Sequence, residues 1–152
     1  DVLGVTLGAQ AAYPYLKVTP GSHLVNIASA SAIYGQPDIA TYSAAKFYVA
    51  GLTEALELEW QRDDIRVVAI WPLWAKTALA DADTKSAKTL GIRITPEEIA
   101  VRVWTSVHPN TADKLIHRTH YSVGVQTTVL NNASKVVPNF VSRLVNKVIA
   151  QH

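Results

Sequence analysis

The sequence predicts an α/β fold in which three parallel strands are flanked by helices. We predict the strands at His23–Ile27, Ile65–Trp71 and Lys114–Gly124, and the first two are almost continuously apolar, as buried parallel strands are. Stretches with apolar residues at helical spacing separate them. Because strand-helix-strand units cross over with a right hand, strands joined in this way are expected to pair in parallel.

The predicted helices are marked by stripes of apolar residues and by signals at their ends. The start signal is sharpest at Thr95, whose hydroxyl precedes a proline and two glutamates. Pro14 is expected to kink or interrupt the first helix, and Glu54, Glu57 and Glu59 are expected to face mostly solvent. The predicted helices cover residues 1–17, 42–60, 95–107 and 126–134, and a last one begins at residue 138.

Composition and charge narrow the class of protein. The chain has 152 residues, 49% hydrophobic and 17% charged, which indicates one well-buried domain over residues 1–152 with a C-terminal helix or tail at 135–152. A net charge of +2 without a basic stripe argues against a nucleic-acid partner. The absence of cysteine excludes disulfides and is compatible with the cytoplasmic location that we expect. The longest apolar run, Val67–Ala75, is too short to span a bilayer.

A serine, a tyrosine and a lysine are spaced so that they could form one site. Tyr42 and Lys46 are four residues apart, which puts them on one face of a helix, one turn apart. Ser29 lies thirteen positions before the tyrosine and follows the first predicted strand. A free phenol has a pKa of about 10, and a nearby ammonium favours its ionised form. Such a set of groups suits proton transfer to and from a carbonyl or alcohol oxygen.

The stretches L-V-N-I-A-S at residues 24–29 and Y-S-A-A-K at residues 42–46 resemble motifs of the short-chain dehydrogenase/reductase family, and the resemblance covers residues 1–108. It implies a Rossmann-like, doubly wound parallel sheet, of which this chain would hold the C-terminal portion. It also implies hydride transfer between NAD or NADP and a carbonyl or secondary alcohol. In that reaction Tyr42 would be the acid/base, Lys46 would activate it and bind the nicotinamide ribose, and Ser29 would orient the carbonyl.

Further site residues follow from the same resemblance. Asp1 occupies the position of a family asparagine whose backbone carbonyl holds a water that links to the lysine. Pro72 and Thr77 match the segment P-G-x-x-x-T, which closes over the nicotinamide and binds its carboxamide. Leu73 replaces the glycine of that segment, so the loop needs a backbone conformation that a Cβ tolerates.

The substrate pocket is expected to be mainly apolar, which favours a lipophilic alcohol or ketone. Ser31 is the second candidate for the role of Ser29 and is assigned to the pocket. Neither the substrate nor the choice between NAD and NADP can be read from the sequence. The apolar residues assigned to the pocket wall are Ile33, Tyr34, Ile39 and Trp74.

The seven glycines are dispersed, and neither G-x-G-x-x-G nor G-x-x-x-G-x-G occurs in the chain. Because the phosphate-binding turn belongs to the first half of a dinucleotide-binding domain, we interpret the sequence as the second half. The 152 residues alone are then expected to bind NAD(P)H poorly and to be inactive. The alternative is a non-catalytic binding or scaffold relative, which Asp1, Leu73 and the missing turn favour and the intact Ser29, Tyr42 and Lys46 disfavour.

Two of the predicted helices and the last helix indicate how copies of the chain could assemble. In the family, the helices that match residues 2–17 and 42–60 pair across a two-fold axis, so a homodimer or homotetramer is expected through Ala9, Tyr13, Phe47 and Leu52. The last helix has an apolar stripe with Arg143 and Lys147 opposite. It could lie on a membrane, but docking on the body or on another subunit is favoured because the stripe is short and modestly basic.

Two other segments carry weaker signals. His117 and His120 are predicted to point to opposite faces of the third strand, so no shared metal is expected. Residues 78–92 are polar with small side chains and resemble the family's mobile substrate lid; an ordinary surface loop or short helix is the alternative.

Overall fold

The computed structural model of the chain describes residues 2–76, 91 and 94–149. Helices and strands alternate up to Trp71, and most of residues 94–149 are helical. Short 3₁₀ turns follow β1 at Ala30–Ala32 and α2 at Gln61–Asp63. The strands β1–β3 span Ser22–Ile27, Ile65–Trp71 and His120–Ser122, and the helices α1–α6 span Val2–Lys17, Ala40–Trp60, Pro96–Val107, Thr111–Leu115, Val125–Ser134 and Asn139–Ile149.

The three strands form one parallel sheet in the order β1-β2-β3, which confirms the predicted fold class. β1 pairs with β2 from Ser22↔Ile65 to Ile27↔Ile70, and β3 pairs only with Ala69–Trp71. The central strand β2 is buried along most of its length, because helices and loops cover both of its faces. This burial explains why its sequence is apolar apart from Arg66.

The third strand is much shorter than predicted, and the prediction of a strand over residues 114–124 was wrong at its start. The side chain of Asn110 accepts a hydrogen bond from the N–H of Asp113 at 2.8 Å and thereby caps the short helix α4. Asp113 then pairs with Arg118 at 3.1 Å, across a turn in which His117 has a positive φ of 46°. These local bonds hold the chain in a helix and a turn until His120.

Glu57 was predicted to face mostly solvent and is instead buried, with 5% of its surface exposed. Its carboxylate accepts a hydrogen bond from the backbone N–H of Val67 in β2. Two residues further on, the N–H of Ala69 donates to the carbonyl of Thr119, next to β3. Glu57 therefore takes the place of a strand partner at the part of β2 that β3 does not reach.

Helix α1 continues through Pro14 without interruption, so the expected break does not occur. Ala9 is buried, and the ring of Tyr13 lies 4.9 Å from that of Trp60, so this side of α1 packs on the chain's own core. Those two residues are thus turned inward, and not outward as an interface between copies would need. Phe47 on α2 is exposed and remains a candidate for such an interface.

The last helix, α6, lies near the loop that joins β1 to α2. The side-chain amide of Asn146 donates a hydrogen bond to the carbonyl of Gly35. Phe140, Leu144 and Val148 are exposed, so this part of the apolar stripe does not dock on the body; docking on another subunit, the other outcome that the sequence favoured, stays a prediction. Within the described ranges, none of the helices has the length and apolar character needed to cross a membrane.

Candidate active site

Ser29 lies at the carboxyl edge of the sheet, just beyond β1. The chain stays paired with β2 on both sides of it, because Ala28 N–H donates to the Ile70 carbonyl at 3.0 Å and Ala30 N–H donates to the Pro72 carbonyl at 2.8 Å. Ser29 itself is extended and caps the 3₁₀ turn, its Oγ accepting a hydrogen bond from Ser31 N–H at 3.2 Å. The hydroxyl of Ser29 keeps its own hydrogen available to donate to another acceptor.

Ser31 lies inside the 3₁₀ turn and is almost completely buried. Its Oγ makes no hydrogen bond to any of the residues that the structure describes. Ser29, in contrast, is only half-buried. Of the two candidate serines, Ser29 is therefore the more accessible to a substrate.

Tyr42 and Lys46 lie on the first two turns of α2, as the spacing had predicted. The helix begins at Ala40, and the loop before it is tied to the helix because Gln36 N–H donates to the Ser43 hydroxyl at 3.1 Å. The ammonium of Lys46 lies 5.4 Å from the ring centroid of Tyr42. The cation and the phenol are thus neighbours in the folded chain.

Lys46 also links α2 to the end of β1. Its Nζ donates a hydrogen bond to the carbonyl oxygen of Ile27 at 3.0 Å. Ile27 is two residues before Ser29, so the lysine lies between the tyrosine on the helix and the strand end that leads into the serine. Spacing alone gave no sign of this backbone contact, because it depends on how α2 packs against the sheet.

Asn26 precedes this strand end and has a satisfied side-chain amide. Its Nδ2 donates to the hydroxyl of Thr53 at 2.9 Å, and that hydroxyl donates to the carbonyl of Val49 at 2.7 Å. All three residues are buried between β1 and α2. This chain of hydrogen bonds fixes the helix that carries Tyr42 and Lys46 against the strand that leads to Ser29.

The segment after β2 accommodates Leu73 without strain. Apart from glycine, the described residues with positive φ are Asp38, Asp64 and His117, so Leu73 has an ordinary backbone conformation. Its side chain is buried in a core cluster with Val68, Ile70 and Tyr121. The leucine is thus a core residue here, and the loop follows a path that does not require glycine.

The remaining predicted site residues fall into two groups. Trp74 lies just after β2 and Ile39 just before α2, and both are half-buried. Trp74 packs on the cluster that includes Leu73. Burial raises the pKa of the Tyr34 phenol in the same loop, so this group stays neutral. Asp1, Thr77 and most of the predicted lid, residues 78–92, lie outside the described residues.

The two histidines near β3 are engaged with separate partners. Nδ1 of His117 lies 3.0 Å from the side-chain nitrogen of Gln61. Nε2 of His120 lies 2.6 Å from a carboxylate oxygen of Glu54, and its ring packs against Trp71. Across residues 2–76, 91 and 94–149, the structure contains no group of three or more side chains suited to holding a metal ion.

Comparison with known proteins identifies the family. A family model described as short chain dehydrogenase matches residues 1–88, which is more than half of the chain. The chain belongs to the short-chain dehydrogenase/reductase family. A 3alpha-hydroxysteroid dehydrogenase of Mediterraneibacter gnavus is 39% identical over 82 residues, which cover 54% of this chain and 33% of that protein.

Solved structures of family members have the same fold. A short chain dehydrogenase from Burkholderia cenocepacia, solved in complex with NADP, matches with a TM-score of 0.77 at 17% identity, covering 99% of this chain and 57% of that one. A 3-ketoacyl-(acyl-carrier-protein) reductase from Brucella melitensis, complexed with NADH, matches with a TM-score of 0.68 at 25% identity, covering 79% and 51%. These matches confirm the predicted Rossmann-like fold. The chain spans about a third of the hydroxysteroid dehydrogenase and about half of each solved structure.

Proposed function

We propose that the chain is the C-terminal part of an NAD(P)-dependent dehydrogenase/reductase that transfers a hydride between a nicotinamide cofactor and a carbonyl or secondary alcohol. One observation carries the proposal. The Lys46 ammonium lies 5.4 Å from the Tyr42 ring and 3.0 Å from the carbonyl of Ile27, two residues before Ser29. This contact brings a cation, a phenol and a serine-bearing strand end to one edge of the sheet, where open α/β sheets bind their ligands.

Each of the three side chains has a role in this proposal. In the direction of reduction, Tyr42 donates a proton to the carbonyl oxygen of the substrate, and Lys46 stabilises the phenolate that remains. Ser29 donates a hydrogen bond to the same oxygen with its hydroxyl hydrogen, while its Oγ accepts the N–H of Ser31. In the direction of oxidation, Tyr42 takes the proton back from the alcohol.

The donor set fits the nicotinamide end of the cofactor. Tyr42 and Lys46 would hold the nicotinamide ribose from α2, and Pro72 would line the neighbouring strand end. Thr77 is the predicted partner of the carboxamide. Both NADP and NADH occur in the matching solved structures, so either cofactor is compatible with the proposal. When bound, the cofactor supplies or accepts the hydride, and the chain supplies position and proton transfer.

The proposed substrate is a lipophilic secondary alcohol or ketone. Ile33, Ile39 and Trp74 are half-buried around the loop between Ser29 and Tyr42, and they offer an apolar wall. The relative from Mediterraneibacter gnavus is named for its action on a hydroxysteroid, which is a substrate of this chemical class.

The alternative of a non-catalytic scaffold loses one of its arguments. Leu73 favours this alternative in the sequence, because the family has glycine at this position. The ordinary backbone of Leu73 and its buried side chain show that the leucine is accommodated by the core of this chain. The leucine at this position is therefore no argument against a catalytic role, and the catalytic proposal is the one that we retain.

The test is turnover of the full-length natural protein with NAD or NADP and a panel of hydroxysteroids and smaller secondary alcohols. Tyr42→Phe removes only the acid/base hydroxyl and is expected to lower kcat by about 10²-fold or more. Tyr48→Phe is the matched control, because it removes a hydroxyl on the same helix that bonds to Thr6 at 2.6 Å. Near-normal turnover of Tyr42→Phe would show that the assignment is wrong.

A second variant separates the role of the lysine from that of the tyrosine. Lys46→Ala is expected to lower turnover and also to weaken cofactor binding, whereas Tyr42→Phe should affect mainly turnover. Equilibrium titration of the nicotinamide fluorescence measures the second effect. If Lys46→Ala left both quantities unchanged, Lys46 would be a structural residue that only holds the carbonyl of Ile27.

A further inference from the structure

The exposed side of α6 has an apolar stripe. Phe140, Leu144 and Val148 follow one another at intervals of four residues, and the side chains of all three are exposed. Each step of four residues turns about 40° beyond a full turn, so the three side chains form one continuous stripe along roughly two turns of the helix. Contact between water and an exposed apolar stripe of this kind is energetically unfavourable.

Basic side chains border this stripe, and carboxylates are absent from the surrounding sequence. Arg143 and Lys147 are exposed, and each directly precedes a residue of the stripe. All 12 acidic residues of the chain lie at or before Asp113, whereas five of its 14 basic residues follow it. Residues 114–152 therefore carry five positive and no negative side-chain charges, and Arg143 and Lys147 have no acidic neighbour along the sequence.

The orientation of α6 leaves this side free of the body. Asn146 is nearly opposite Leu144 around the helix. It is Asn146 that touches the body, through its hydrogen bond to the carbonyl of Gly35. The helix is thus attached by a polar contact on one side, and the apolar stripe with its basic border is turned outward.

We infer that this side of α6 binds an anionic lipid surface. Phe140, Leu144 and Val148 enter the boundary between headgroups and acyl chains, and the stems of Arg143 and Lys147 extend so that their charges reach lipid phosphates. Charge complementarity selects this occupant over a second copy of the chain. A two-fold contact of the face with itself would bring like charges together. The helix lies in the plane of the surface and does not cross it.

The experiment is sedimentation of the full chain with two kinds of vesicle. One contains phosphatidylcholine alone, and the other contains phosphatidylcholine with phosphatidylglycerol. The chain is expected to sediment with the anionic vesicles and not with the neutral ones, and to be released by high salt, since screening weakens the attraction. Equal sedimentation with both vesicles, or with neither, overturns the inference.

Matched variants locate the contact. Arg143→Gln should weaken binding about fivefold, because one basic residue near such a surface contributes about 1 kcal/mol. Lys114→Gln removes the same charge from α4 and should have little effect. Leu144→Gln should weaken binding about tenfold, whereas Leu115→Gln on α4, at a leucine that is 81% exposed, should not.

Two further results would overturn the inference. One is that the control variants weaken vesicle binding as much as Arg143→Gln and Leu144→Gln do. The other is that Leu144→Gln converts an oligomer into a monomer while the unaltered chain stays out of the vesicle pellet. In that case a second copy covers the face. Circular dichroism of every variant confirms that the fold is kept.

Discussion

Replacing Glu57 by alanine removes the acceptor that the N–H of Val67 uses in β2. Glu57 is 5% exposed, and its oxygen lies 2.5 Å from that nitrogen. In the described part of the chain, β3 pairs with β2 only from Ala69 onward, so no strand replaces the lost acceptor. A buried donor left without a partner costs about 1–3 kcal/mol, and hydrogen bonds to charged groups lie in the upper half of that range.

We therefore expect Glu57→Ala to lower the free energy of unfolding by about 2–3 kcal/mol. For a domain of this size, each kcal/mol corresponds to roughly 2–4 °C in Tm. Glu57→Gln keeps a neutral acceptor of the same shape and should lose only about 1 kcal/mol.

Thermal unfolding followed by circular dichroism measures both changes. The matched control is Glu59→Ala, at an exposed glutamate on the same helix, and surface substitutions of this kind usually stay within about 0.5 kcal/mol. If Glu57→Ala unfolded at the same temperature as Glu59→Ala, the buried hydrogen bond would contribute nothing to stability. The account of how β2 is completed at this point would then be wrong.

Three other predictions concern pH, assembly and cofactor binding. Burial, and then the charge of Arg66, lower the pKa of His23; the unfolded chain binds this proton more readily, so the free energy of unfolding should fall as pH drops below about 6.5. Urea unfolding above and below that pH should show a weaker dependence in His23→Gln, and an unchanged dependence would contradict the assignment. Phe47→Glu should convert the expected homodimer or homotetramer into a monomer in sedimentation velocity, whereas a chain that is already monomeric would exclude this interface. The 152 residues alone should bind NADH and NADPH more weakly than micromolar when the nicotinamide fluorescence is titrated, because their sequence has no phosphate-binding glycine turn; micromolar binding would show that such a turn is not needed.

The sequence was a good guide where the signals are local. The strand β2 spans Ile65–Trp71, as predicted from its largely apolar sequence and the proline that follows it. The start of α3 follows from Thr95, whose side chain accepts from the N–H of Glu98 at 3.3 Å while the carboxylate of Glu98 accepts from Thr95 N–H at 2.8 Å. Both signals depend on residues within one segment, so they can be recognised in the sequence without knowledge of the rest of the fold.

The sequence was a poor guide where the outcome depends on contacts between distant segments. Glu57 is an acidic residue on a helix, and its burial goes with a hydrogen bond to β2 at a point that the short β3 does not reach. The spacing of Tyr42 and Lys46 predicted their proximity, but not the hydrogen bond from Lys46 to Ile27, which requires the packing of α2 on β1. Leu73 departs from a family pattern that has glycine at this position. Its side chain is buried and its backbone conformation is ordinary, so this position does not use the conformational freedom of a glycine.

The parallel pairing of the three strands has a consequence for the speed of folding. Ser22 pairs with Ile65, and Ala69 pairs with His120, so each strand contact closes a loop of more than forty residues. The entropy of closing such loops is lost before the sheet contributes any stabilisation. A chain with this high contact order is expected to refold in milliseconds to seconds, and its apolar strands stay open to intermolecular association during that time.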